Sequence, residues 1–190
     1  MKLHITGDPS ADTLLTENPF ALLTGMMLDQ QVTMETAFAG PAKLDDRLGE
    51  LTPAAIAGTD PDALVAAFKE SPAVHRFPGS MAERLQSLAQ ALVADWNGDA
   101  AQVWTRDSPD GAEVYKRLRT LPGFGEQKSK IFLALLGKQY GFDGAGWREA
   151  SAPYGGEGTT MSVADIVDAE SLSRVREAKK AAKAAAKAAS

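Results

Sequence analysis

Apolar residues along the chain recur mostly at helical spacing. Val114, Leu118 and Leu121 fall at i, i+4 and i+7, the spacing of one helix face. Ile131, Phe132, Leu135 and Leu136 form a second stripe that ends at Gly137, which reads as a C-cap. Between the stripes lies Pro122-Gly-Phe-Gly125, too short for anything but a tight turn. Gly123 and Gly125 can take positive φ and let another backbone approach closely. Residues 112–137 are therefore predicted to form a helical hairpin. Bare N–H groups at the start of its second helix, reinforced by the macrodipole, make a phosphate-sized anion site.

The rest of the pattern is also helical. Asn18-Pro19 is an N-cap with proline at the first helical position, and Phe20, Leu22, Leu23, Met26, Met27 and Leu28 follow. This helix is apolar nearly all round and belongs at the centre of the core. Another helix begins between Thr33 and Phe38. Thr52-Pro53 and Asp60-Pro61 open short helices carrying Ile56, and Leu64, Val65 and Phe68. After the loop 71–79, Ser80-Met-Ala-Glu83 reads as a capping box opening a long helix striped by Leu85, Leu88, Leu92 and Trp96. Asp107-Ser-Pro109 is expected to start the helix before the hairpin. Leu3 and Ile5 alternate as a short strand would, Gly7-Asp-Pro-Ser10 reads as a turn, and His4 is expected at the surface.

Beyond Gly137 come a glycine-rich, aromatic stretch (140–148), a loop (152–158) and a second capping box, Ser162-Val-Ala-Asp165. The prediction is an all-α fold in two helical lobes, with a cleft beside the hairpin. Residues 1–168 make one domain. Residues 169–190 make a basic, Ala/Lys-rich helical tail, either solvated or weakly attached to DNA phosphate.

Composition narrows the chemistry. The 190 residues carry a net charge of −5 and no cysteine. Disulfides, thiolate metal ligands and an iron–sulfur cluster are excluded, and a reducing cytosol is the default compartment. No apolar run is long enough to span a membrane, and the N-terminus does not begin a secretory signal. In an acidic chain, binding to a polyanion must rest on a local patch, with modest and salt-sensitive affinity. Such a patch surrounds the hairpin: Lys116, Arg117, Arg119, Lys128, Lys130 and Lys138, against Glu113 and Glu126.

Leu121-Pro-Gly-Phe-Gly125 followed by an amphipathic helix resembles the hairpin of the helix-hairpin-helix/Gly-Pro-Asp (HhH-GPD) DNA glycosylases. The apolar helix ending in Leu28-Asp-Gln-Gln31 is similar to a second segment of that family, with Asp29 where a small residue is usual. The resemblance covers roughly residues 18–140. It implies double-stranded DNA carrying a damaged or modified base as partner, and a monomer working at the nucleoid in the cytoplasm. The DNA contacts it implies are Gly123, Phe124, Gly125, Gln127, Lys128, Lys130, Gln30 and Gln31, with Arg76 or Phe77 as a wedge. It implies no metal centre and no cofactor beyond a monovalent cation that the hairpin carbonyls of some relatives hold.

Base removal also needs a carboxylate beside the sugar of an extruded nucleotide. The family's nucleophilic lysine position is occupied here by Gln127, which implies hydrolysis without strand cleavage; Lys128, one residue on, lies about 100° round the helix. Counting on by the family's spacing reaches Gly144-Ala-Gly146, which holds no carboxylate. Asp143 is the nearest, whereas Asp165 has the better context, Val163-Ala-Asp-Ile-Val167 at a helix start. Asp29, Glu149 and Glu157 remain further acids, and Trp147 and Tyr154 are candidates to stack a flipped base. Two other readings stand beside a monofunctional glycosylase. One is a DNA-binding or lesion-sensing protein that kept the hairpin without the chemistry, and the other is a helical scaffold with no nucleic-acid role.

Overall fold

A computed structural model describes residues 2–189, and among them the secondary structure is helical throughout. In chain order the helices are α1 (Pro9–Glu17), α2 (Pro19–Leu28), α3 (Met34–Leu48), α4 (Pro53–Gly58), α5 (Pro61–Lys69), α6 (Pro78–Trp96), α7 (Gln102–Thr105), α8 (Gly111–Thr120), α9 (Glu126–Gln139), α10 (Trp147–Ala150) and α11 (Ala169–Ala188). A 3-10 turn, Val163–Asp165, precedes α11.

Side-chain caps explain most of the starts. Asn18, Thr52 and Asp60 each accept an N–H from the first turn, with proline at the first helical position. Asp8-Pro9 obeys the same rule: Asp8 accepts the Ser10 N–H, so a helix stands where a turn was expected. Leu3 and Ile5 form no strand. They are fully buried against the core, and Asp12 of α1 accepts the N–H groups of Ile5 and Thr6 at 3.1 and 2.9 Å. Two other boundaries move. α6 begins at Pro78 rather than Ser80, and α8 is capped by Asp110, which accepts the Glu113 N–H at 2.8 Å.

The central helix is α2, buried from Phe20 to Leu28 and packed against α3, α6 and α9. Gly25 permits the close approach of α3, because a Cβ there would lie 2.5 Å from the Phe38 ring. α3 to α6 form one packed group in contact with α2. α8, α9, α10 and the 3-10 turn form another, joined to α2 through α9.

Gly137 does not end α9, which runs on to Gln139 with Tyr140 at its C-cap. Its missing side chain makes a seat for Trp147, whose ring atoms would stand 2.4–2.6 Å from a Cβ. Gly111 does the same for the Trp147 backbone, with a Cβ only 2.3 Å from its Cα. Trp147 thus wedges α8 and α9 together, with the Arg148 guanidinium 4.3 Å over its ring, and does not line the cleft beside the hairpin. The expected tail is helical, but its first turns join the fold: Leu172 and Val175 belong to the core cluster.

Candidate nucleic-acid interface and cleft

The hairpin is held at both ends by packing. Gly123 adopts φ 85°, and a Cβ there would meet Met27 Cγ at 2.8 Å and Arg84 Cδ at 3.0 Å. Glycine is required for the backbone angle and for the closeness to α2 and α6. Phe124, expected at the DNA face, is 4% exposed and packs edge-on to Phe132 at 5.9 Å. Its ring anchors the turn from inside, and its N–H is taken by the Leu121 carbonyl. Gly125 is the N-cap of α9 and supplies no side-chain cap, so the first-turn amides of α9 open toward solvent. The glycine spacing predicts an anion site at this helix start, and no side chain occupies these amides.

The surrounding charge is smaller than the sequence suggests. Arg117 is internal: it pairs with Glu113 at 3.0 Å, donates to the carbonyls of Val103 and Arg106, and stacks over Trp96. Lys138 is internal too, paired with Asp165 at 2.6 Å. Lys130 pairs with exposed Glu126 on the same helix face. In exchange the fold brings in Arg84, which runs beside Gly123 and which no local motif marks.

Next to the hairpin opens a cavity of about 650 Å³. Gln30, Gln31, Gln127, Lys128 and Tyr154 line it, with Asp29 and the α11 residue Lys179 on its charged side. Its size is that of a small-ligand pocket. Gln31 lies at φ 57°, the left-handed region, and is exposed. Gln30 faces inward: its side-chain amide lies 3.1 Å from Met81 Sδ, and its backbone carbonyl takes the Nε2–H of buried His75 at 2.9 Å. His75 Nδ1 accepts the Phe77 N–H, so one imidazole ties the Gln30 turn to the Arg76–Phe77 loop. On that loop Phe77 is 42% exposed, with the Arg76 guanidinium 5.4 Å from its ring. Gln127 donates to the Tyr154 hydroxyl at 3.0 Å.

Lys128 does not point to solvent. Its Nζ donates to the Met27 carbonyl, tying the start of α9 to the end of α2. Burial, with Arg84 nearby, pulls its pKa down to about 8 against the opposing pull of Asp29. Burial likewise raises the Asp29 carboxyl, opposed by Lys179 and Lys128 and assisted by Glu35.

The two carboxylates expected after the hairpin lie elsewhere. Asp165 is 3% exposed and fully engaged: it accepts from Lys138 Nζ, the Thr159 hydroxyl at 2.8 Å, and the N–H groups of Met161 and Ser162 at 2.8 and 3.1 Å. It borders a different cavity, with Gly137 and Arg148. Asp143 is exposed in the loop after α9, beside Trp104, Ser108 and Phe142. The helix-capping context of Asp165 was real, and the cap is its structural employment.

A model for an HhH-GPD superfamily base excision DNA repair protein matches residues 24–190. The chain belongs to the HhH-GPD superfamily. Base excision DNA repair is therefore its class of function. No curated protein and no solved structure matches the chain. Among the described residues of this HhH-GPD protein, no helix is long and apolar enough to cross a membrane, and no three acidic or histidine side chains converge as a metal site would require.

Proposed function

We propose that this protein is a monofunctional DNA glycosylase that hydrolyses the N-glycosidic bond of a damaged or modified base in double-stranded DNA. The observation that carries the reading is the junction of hairpin and cavity: uncapped α9 amides lie beside a pocket large enough for an extruded base. A phosphate seated on those amides would place the neighbouring nucleotide at the cavity mouth. Gln30, Gln31 and Tyr154 would meet the base there or fill the gap it leaves, with Arg76 and Phe77 at the duplex. The enzyme would work as a monomer at the nucleoid.

Two features favour hydrolysis without strand cleavage. Gln127 has no nucleophilic amine, and the Lys128 ammonium is occupied by the Met27 carbonyl. A monovalent cation at the hairpin carbonyls, as some relatives hold, would add positive charge at the phosphate. No step depends on it. An accessory DNA-binding protein without turnover is the second reading, favoured because, among the described residues after the hairpin, no carboxylate lines the cavity.

The test is single-turnover incubation with duplexes carrying uracil, hypoxanthine, 3-methyladenine, and oxidised or hydroxymethylated pyrimidines, followed by heating in alkali. Breaks that appear only after alkali are expected on at least one duplex. Breaks before alkali would overturn the monofunctional part and point to Lys128. Binding without any alkali-labile product would establish the second reading.

A further inference from the structure

Among the described residues Asp29 is the one acid that lines the cavity beside the hairpin. It sits at the C-cap of α2, and its side chain is 12% exposed. Its nearest cation, Lys179 Nζ, stands 3.7 Å away, an ion pair beyond hydrogen-bond length. Asp165, by contrast, has a donor on every side. A carboxylate saturated with protein donors has no lone pair to offer a substrate, whereas one facing a cavity with a loose counter-ion does.

The position is also registered to the hairpin. Met27, two residues before Asp29, packs against Gly123 and takes the Lys128 ammonium on its carbonyl. A phosphate held on the α9 amides would therefore stand at a fixed offset from Asp29, set by two backbone contacts rather than by a flexible loop.

We propose that Asp29 is the carboxylate this enzyme sets against the sugar of the extruded nucleotide, supplied by the end of α2 instead of the segment after the hairpin. The inference rests on the glycosylase reading. In the reaction the C1′–N bond breaks and its electron pair leaves with the base. Ionised Asp29 stabilises the oxocarbenium-like sugar and orients a water. The water oxygen bonds to C1′, and its proton passes through Asp29 to solvent or to the departed base. Bound nucleotide plus water thus gives abasic sugar plus protonated base, with nothing else consumed.

The charges around Asp29 make the role testable by pH. Lys179 of α11 and Lys128 of α9 favour its ionised form, and burial and Glu35 of α3 oppose it. Glu35 is itself paired with Arg176 of α11, and Arg84 of α6 acts on Lys128. If the anion is needed, cleavage must rise with pH through the titration of Asp29. Removing Lys179 moves that rise to higher pH, and removing Glu35 moves it to lower pH.

The experiment is single-turnover cleavage of a duplex that the unaltered protein cleaves, with Asp29→Asn, Lys179→Met, Glu35→Gln and a surface control, Asp62→Asn on α5. Asp29→Asn is expected to lose about 100-fold or more in rate while still binding duplex, and Asp62→Asn to match the parent. Lys179→Met and Glu35→Gln, which keep Asp29 in place, are expected to shift the acid limb in opposite directions. Cleavage by Asp29→Asn within a few-fold of the parent, or an acid limb that neither neighbour moves, would overturn the assignment. So would loss in Asp143→Asn with Asp29→Asn still active. Failure of the parent protein to cleave any duplex while binding them all would sink the glycosylase reading itself, and is recognised before any variant is made.

Discussion

Replacing Asp165 with asparagine separates a structural acid from a catalytic one. The buried carboxylate receives an ammonium, a hydroxyl and two backbone N–H groups, and its partner Lys138 is itself 15% exposed at the side chain. Asparagine keeps one oxygen for the two amides but turns a neutral group, and one orientation of an NH₂, toward Lys138. Breaking a buried pair from one side costs about 3–5 kcal/mol, because the remaining charge has lost its partner. Lys138 retains the Thr159 hydroxyl at 2.9 Å and some solvent, which places the loss near the lower end, about 3 kcal/mol. For a chain of this length each kcal/mol lowers the midpoint by roughly 2–4 °C, so a fall of about 6–12 °C follows. Urea denaturation followed by circular dichroism measures the free energy, and single-turnover cleavage at a temperature where both proteins are folded measures the chemistry. The structural account requires the first to fall and the second to hold. An unchanged urea midpoint with cleavage lost would refute it and return Asp165 to the reaction.

Three further outcomes follow from particular contacts. Gly137→Ala should destabilise by about 1–3 kcal/mol although alanine is the better helix former, because the new methyl overlaps the Trp147 ring; Gly79→Ala, in open space on α6, should gain a few tenths to about 1 kcal/mol, both measured by urea denaturation. Lys128 titrates near 8 when folded, below its ordinary value of 10.5. Between those two pH values the unfolded chain holds more protons than the folded one, so this group makes stability rise with pH; the urea free-energy difference between the parent and Lys128→Met should widen in the parent's favour from pH 8 to 10. A flat difference would mean that Lys128 is not desolvated. Arg84→Ala should weaken duplex binding on all sequences alike and reduce the log–log salt slope by about one, measured by fluorescence anisotropy.

Local rules carried the fold a long way. Cap-plus-proline pairs at Asn18, Thr52 and Asp60 each start a helix, and the all-round apolar pattern of Phe20–Leu28 marks the helix at the centre of the core. The errors came where a residue answers to a distant partner. Gly137 looked like a helix end because glycine commonly ends helices, yet its smallness serves a tryptophan ten residues on. Lys138 and Arg117 looked like DNA ligands because basic residues near a hairpin usually face solvent. Here Asp165 and Trp96, brought in by tertiary packing, claim them.

The site divides along the same line. The hairpin was legible because a tight turn packed close to another helix needs glycine, as at Gly123, and that constraint is local. The acid that lines the cavity was not, because spacing counted forward from the hairpin looks only along the chain. What sets Asp29 beside the α9 amides is the contact of Met27 with Gly123 and Lys128, across about a hundred residues of sequence. An acid at the end of an apolar helix reads as a liability near DNA until its neighbours are known. With Lys128 on one side and Lys179 of α11 on the other, the same charge becomes sustainable inside a cavity. α11 therefore supports the cleft through its third turn, where Arg176 and Lys179 meet Glu35 and Asp29, and this explains why a helix so poor in apolar residues is nevertheless seated on the fold.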